Sequence, residues 1–245
     1  MNKEGSTYTF MFAGIMVVVV ATILSVAAIS LKPFQERNQM HEKMQNILQT
    51  IGIEATMDEA PALFDKYVKK RVVLDHSGSG QPVSENVGNI DAKDKKDGFN
   101  IDVRKEYKSL SEDQRNYPLF ICETDKGSFT VIPMVGTGLW GPIWGFVALK
   151  EDLSTVYGTS FDHHGETPGL GAEIKTPAFQ AQFVDKKIFE GNELASIHVV
   201  KGGAKEGDVH GVDAITGGTV TSTGVDEMIS RTLKVYETYL KNNKQ

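Results

Sequence analysis

Residues 8–30 contain no charged side chain and carry apolar groups at Phe10, Phe12, Ile15, Ile23, Leu24, Val26 and Ile29, around an unbroken run of four valines from Val17 to Val20. These 23 residues, at ~1.5 Å each, reach ~34 Å as a helix, enough to cross a hydrocarbon core. The stretch is longer than the apolar part of a cleavable signal, and Lys3 alone forms its basic flank, so a retained anchor is expected. After it the period changes. Phe34, Met40, Met44, Ile47, Leu48 and Ile51 recur at helical spacing over 33–51. Thr56 and Glu59 have capping-box spacing and precede Leu63, Phe64, Tyr67 and Val68 on one helical face. Between 76 and 98 the chain turns to Ser, Gly, Asn, Asp and Lys, the composition of an exposed loop.

Beyond that loop, apolar runs of strand length occupy 119–123, 128–134 and 145–149, with Asp125, Lys126 and Gly127 as the turn of a hairpin joining the first two. Shorter extended pieces are expected at 172–174 and 196–200. Val225, Met228, Ile229, Leu233, Tyr236 and Leu240 then return to helical period almost to the C-terminus. The expected architecture is α+β: a transmembrane helix, then one domain with a mainly antiparallel sheet. The expected partition is 1–32 for tail and span, 33–98 for a helical connector and exposed loop, and 99–245 for the domain.

Composition narrows the chemistry. With 245 residues and 40% apolar content, the chain can build one core besides the anchor. Its 26 basic and 32 acidic residues leave a net charge of −6, which argues against a nucleic-acid surface. Cys122 is the sole cysteine, so the chain forms no internal disulfide and cannot alone supply the thiolates of an iron–sulfur cluster. Its place in an apolar run reads as a packed strand thiol. Lys3 precedes the span while Lys32, Arg37 and Lys43 follow it, and counting basic residues alone would leave the C-terminal part in the cytoplasm.

Three glycine-rich stretches invite function. Gly136, Gly138 and Gly141 match the dinucleotide-binding string, but Pro142 and a strand follow where a helix should begin, so NADH is not expected on this chain. The same glycines would let backbone approach a flat ligand beside Leu139, Trp140 and Trp144; a β-bend packing its own tryptophans fits the residues equally well. His163 and His164 are adjacent and would point to opposite sides of an extended chain, so no metal is expected there, and the 163–171 stretch reads as a turn-rich loop bordering a pocket. The third stretch runs from Asp213 through Thr216, Gly217, Gly218, Thr219, Val220, Thr221 and Ser222. Thr223 and Asp226 have capping-box spacing, which would start the last helix just after this hydroxyl cluster and bring its free N–H groups close to Thr219, a setting suited to a phosphate. A polar loop leading into an ordinary helix remains the alternative on these residues alone.

Asp213, Thr216, Gly217, Gly218 and Thr219 resemble the flavinylation motif of FMN-binding-domain proteins, D-x-x-[ST]-G-[AG]-T, with Gly218 where alanine is more usual. Together with the N-terminal span, Gly138 to Gly141, Glu166 to Gly171 and Val200 to Gly203, the chain resembles the C-subunit family of Na+-translocating NADH:quinone reductases over nearly its whole length. That resemblance implies FMN joined through its phosphate to Thr219 by a flavin transferase, for which Asp213, Gly217 and Gly218 would form the recognition frame. It implies cofactor contacts at Leu139, Trp140, Gly141, Thr167, Leu170, Gly171, Lys201, Thr216, Val220 and Thr221. It further implies an electron carrier without turnover of its own, assembled with the other subunits of a membrane complex, its soluble domain on the periplasmic side of a bacterial inner membrane, against the charge count. The related G subunit of Rnf-type ferredoxin:NAD+ complexes, or a membrane-anchored binding protein without redox chemistry, are the alternatives.

Overall fold

The computed structural model describes residues 5–244, so Lys3 lies outside them. The chain divides into two compact units, Met1–Lys43 and Met44–Gln245. Helix α1 (Ser6–Thr50) is a single 45-residue element in which Pro33 lies inside, so the expected break between span and amphipathic helix is absent. Proline forfeits one intrahelical hydrogen bond, and the good helix formers around it keep the helix wound. Its most apolar window has a mean hydropathy of 2.7 and no residue of it is buried. A long, apolar, uncovered helix of this kind fits a membrane anchor.

The second unit begins with the last turns of α1. Met44, Ile47, Leu48 and Thr50 are buried, and the helix stops at Gly52, whose φ of +76° is a left-handed C-terminal cap that glycine adopts without strain. The expected capping box forms: the Thr56 hydroxyl donates to Glu59 Oε2 at 2.7 Å and the Glu59 N–H donates to Thr56 Oγ1 at 3.4 Å, ahead of α2 (Ala60–Tyr67). Next come β1 (Val68–Leu74), β2 (Ser84–Val87), α3 (Val103–Ser109), β3 (Tyr117–Thr124), β4 (Gly127–Thr137), β5 (Pro142–Leu149) and β6 (Val156–His163). These six strands form one sheet in the order β2-β1-β3-β4-β5-β6, with every neighbouring pair antiparallel. The remainder comprises α4 (Pro177–Ala181), the short pair β7 (Phe189–Glu190) and β8 (Glu193–Leu194), the parallel pair β9 (His198–Val200) and β10 (Gly211–Asp213), and α5 (Thr219–Asn243).

The central strands are apolar on both faces because each face has its own core. Along β3, Leu119 and Ile121 belong to the cluster under α5, whereas Phe120 and Cys122 belong to the cluster under α2 and the end of α1. Cys122 is fully buried, and burial pushes its thiol up to about 12. The α5 side is filled by Val225, Met228, Ile229, Leu233 and Tyr236 against Ile132, Met134, Ile143 and Phe161, and the Tyr236 hydroxyl donates to the Pro118 carbonyl at 2.7 Å.

Residues 44–98 sit inside this unit and do not form a separate connector, because they supply β1 and β2 of the sheet. Three consecutive cations, Lys69 to Arg71, hide β1 in the sequence. Arg71 is nonetheless 1% exposed: its guanidinium donates to both oxygens of Asp97 at 2.7 and 2.8 Å and to the Gly88 carbonyl at 2.7 Å. Residues 172–174 are likewise not extended but lie in a 3-10 turn, Gly171–Lys175. The last helix begins at Thr219, ahead of the expected start after Thr223. Thr221 and Ser222 use their side chains to hold the first turn in place.

Candidate functional site

Three segments converge at the start of α5. The first is the turn into the helix. Gly217 has φ +78°, and a Cβ there would stand 2.6 Å from Leu170 Cδ2; a Cβ on Gly218 would stand 2.9 Å from Ile215 Cγ2. Gly218 is the N-cap residue and Thr219 the first residue of the helix. The hydroxyls that follow are committed. Thr221 Oγ1 donates to Glu166 Oε2 at 2.6 Å, Ser222 Oγ accepts from the Ile215 N–H at 3.0 Å, and Thr223 Oγ1 donates to the Thr219 carbonyl at 3.0 Å. The hydroxyl of Thr219, an exposed residue, makes no hydrogen bond among the described residues. The first backbone N–H groups of the helix lack intrahelical acceptors, so donors and the positive end of the helix dipole gather at this same residue.

The second segment is the β4–β5 turn. Gly138 N–H donates to the Gly141 carbonyl at 2.8 Å, and the turn holds Leu139 and Trp140 out from the sheet, 55% and 65% exposed. This glycine string therefore closes a hairpin and leads into no helix. Gly141 adjoins His164, whose side chain would lie 3.6 Å from a Cβ there. Trp144, expected to offer a second aromatic face, instead packs under the Arg104 guanidinium at 4.5 Å.

The third segment is the loop after β6. His163 Nδ1 accepts from the Glu166 N–H at 3.1 Å, while His164 faces Gly141, so the two rings go separate ways. Glu166 is 5% exposed and unites all three segments: one carboxylate oxygen accepts from the Trp140 N–H at 2.8 Å and the other from Thr221. Glycine backbones make room for it, since a Cβ on Gly138 would stand 2.6 Å from Glu166 Oε1 and one on Gly171 would overlap both Glu166 and Thr221. Sequence reasoning grouped Glu166 with a turn but gave it no role. Its signals were its place at the head of the 166–171 string that carries the resemblance and its setting among turn formers, and neither assigns the side chain a partner.

A cleft of about 100 Å³ opens between these segments, lined by Leu139, Glu166, Thr167, Leu170, Gly171, Gly217, Gly218, Thr219, Val220 and Thr221. Of the residues singled out in the sequence, Leu139, Thr167, Leu170, Gly171, Val220 and Thr221 thus meet around Thr219, with Trp140 and Gly141 in the adjoining turn. Thr216 is exposed in the turn just before Gly217 and is not among the lining residues. Lys201 is exposed after β9 and is also not in the lining. Asp213 ends β10 and accepts the Ala204 N–H at 2.8 Å, tying down the turn that carries Lys201.

Residues 138–234 match the FMN-binding domain family, a span that takes in all three segments. The chain is 36% identical to the C subunit of the Na(+)-translocating NADH-quinone reductase of Vibrio vulnificus, over 84% of this chain and 82% of that protein. It is 34% identical to the same subunit of Pseudomonas aeruginosa, over 93% of this chain and 91% of that one. Among solved structures it resembles the C subunit from Parabacteroides distasonis, with a TM-score of 0.73 and 36% identity over 86% of this chain and 96% of that chain. Shewanella oneidensis NqrC matches with a TM-score of 0.66 and 27% identity over 84% of this chain and 98% of that chain.

The residues present fit such a cofactor. A flavin phosphate needs unpaired donors, and the free N–H groups at the first turn of α5 can supply them. A flavin ring needs flat apolar surface, found on the exposed faces of Leu139, Trp140, Leu170 and Val220. The cleft is small, and these exposed apolar side chains lie beside it. With its apolar N-terminal helix, its α+β domain of mainly antiparallel sheet and this cleft, the chain belongs to the C-subunit family of the Na+-translocating NADH-quinone reductases.

Proposed function

We propose that this chain carries FMN as a phosphoester on Thr219 Oγ1 and serves as an electron-relaying subunit between a metal centre and a second flavin in partner subunits. The complex as a whole would oxidise NADH, reduce quinone and move Na+. FMN, when bound, supplies the electron chemistry, and the protein supplies attachment, orientation and electrostatics. The observation that carries the reading is the state of the hydroxyls in the first turn of α5: Thr221, Ser222 and Thr223 are each hydrogen-bonded, whereas Thr219 Oγ1 stands at the cleft without a partner among the described residues.

A threonine hydroxyl is a weak nucleophile, and the Thr219 hydroxyl has no general base as a hydrogen-bond partner among the described residues, so an external flavin transferase must activate it. In that step Thr219 Oγ1 bonds to the FMN-side phosphorus of FAD, the bridging P–O bond breaks, AMP leaves with the electron pair, and the hydroxyl proton passes to a base of the transferase. Gly217 and Gly218 keep the acceptor uncrowded, and Asp213 orders the neighbouring turn for recognition. The α5 N–H groups would hold the phosphate, Leu139, Trp140, Leu170 and Val220 would bear the ring, and Gly141, Thr167, Gly171 and Thr221 would shape the floor. Lys201 and Thr216, which do not line the cleft, would have to meet the cofactor from outside it. The helix over 8–30 anchors the protein in a bacterial inner membrane, with the flavin domain on the periplasmic side.

Intact-mass measurement of the full chain co-produced with a flavin transferase tests the attachment. A gain equal to FMN less water, mapped to the peptide around position 219 and absent from Thr219→Ala, is expected. An unmodified wild-type mass under those conditions, or an adduct that survives in the variant, refutes it.

A further inference from the structure

Glu166 has a second character besides joining three segments: it is a buried carboxylate without a cationic partner. No lysine or arginine lies within ion-pair distance of it among the described residues; it is held by a backbone N–H, from Trp140, and one hydroxyl, from Thr221. Burying a carboxylate on neutral donors alone is costly, and a fold that needed only those two hydrogen bonds could use an amide. The carboxylate lines the same cleft as Thr219. Its two partners lie on the two halves of the cleft, the turn bearing Leu139 and Trp140 and the helix start bearing Thr219. Glycine at 138 and 171 leaves room for the carboxylate between the two halves, since a Cβ at either position would stand 2.6 Å or less from one of its oxygens.

We propose that Glu166 is a positioning residue that locks the 138–141 turn to the first turn of α5 and whose negative charge lowers the reduction potential of the cofactor held between them. This rests on the reading that FMN occupies the cleft. Each added electron increases negative charge on the cofactor, and a fixed negative charge nearby, poorly screened because it is buried, opposes that increase.

Two substitutions separate the two roles. In Glu166→Gln the amide oxygen can accept from the Trp140 N–H and the amide nitrogen can donate to Thr221 Oγ1, so the lock is kept while the charge goes. Glu166→Ala removes both. The full-length chain in detergent, co-produced with a flavin transferase, gives the first readout: Glu166→Gln should retain the mass adduct and show a midpoint potential shifted upward relative to wild type. The same chain made without the transferase gives the second, by hydrogen–deuterium exchange. Glu166→Ala should raise amide exchange at 138–142 and 219–222 together, and Glu166→Gln should restore it toward wild type. An unchanged or lowered potential in modified Glu166→Gln overturns the charge assignment. Unchanged exchange in Glu166→Ala overturns the lock. A wild-type chain without an adduct sinks the cofactor reading and with it the charge assignment, and the lock is then decided by exchange alone.

Discussion

Two buried carboxylates in this domain are handled in opposite ways. Asp97 meets Arg71 in a two-pronged ion pair with side chains 2% and 1% exposed, and accepts the Phe99 N–H at 2.9 Å as well. Glu166 is buried almost as deeply but has only neutral donors. The first site closes the 88–99 loop over β1, and charge balance there serves the fold alone. The second stands in the cleft, where an uncompensated charge still acts on whatever binds. The pairing of a buried charge thus distinguishes a fastening from a functional group, even where both tie distant segments together.

The contrast can be broken at either end. Arg71→Ala would leave Asp97 buried without its cation and should cost ~3–5 kcal/mol, read as a lowered denaturation midpoint with slope unchanged; a near-neutral result would mean that the pair is solvated and the comparison empty. Glu166→Ala orphans only a backbone N–H and a hydroxyl and should cost less, ~1–3 kcal/mol, by the same measurement. If it proved the costlier of the two, Glu166 would be a fastening like Asp97. Thr219→Ala removes a side chain with no hydrogen bond, so unmodified protein should change by no more than ~0.5 kcal/mol while losing all capacity for the adduct. A large loss of stability there would place Thr219 in the fold and not at its surface.

The sequence disclosed the parts of the fold whose pattern is local. The span shows as an absence of charge, and β3, β4 and β5 show as apolar runs because they are covered on both faces. Strand β1 was obscured because its middle carries Lys69, Lys70 and Arg71, and the burial of Arg71 depends on Asp97, a partner 26 residues away. Strand β2 is a polar edge strand of four residues inside a loop-like composition and offers no alternation to read. At the candidate site the hydroxyl cluster and the glycine turns stood out by composition. Glu166 did not, because its meaning lies in contacts with residues 26 positions before it and 55 after it, which no periodicity encodes. The start of α5 was misplaced for a related reason: Thr221 and Ser222 look like loop residues until their tertiary partners are known.

The winding of that first turn also bears on the order of events in making the protein. In an extended chain Thr219, Thr221, Ser222 and Thr223 are near-equivalent alcohols, and nothing in their own chemistry would favour one. Once α5 is wound against Glu166 and Ile215, three of the four are occupied and one is left facing outward. On the proposed attachment, selectivity among these four is a product of tertiary structure, and a maturing enzyme that meets the folded domain has only the exposed Thr216 left to tell from Thr219.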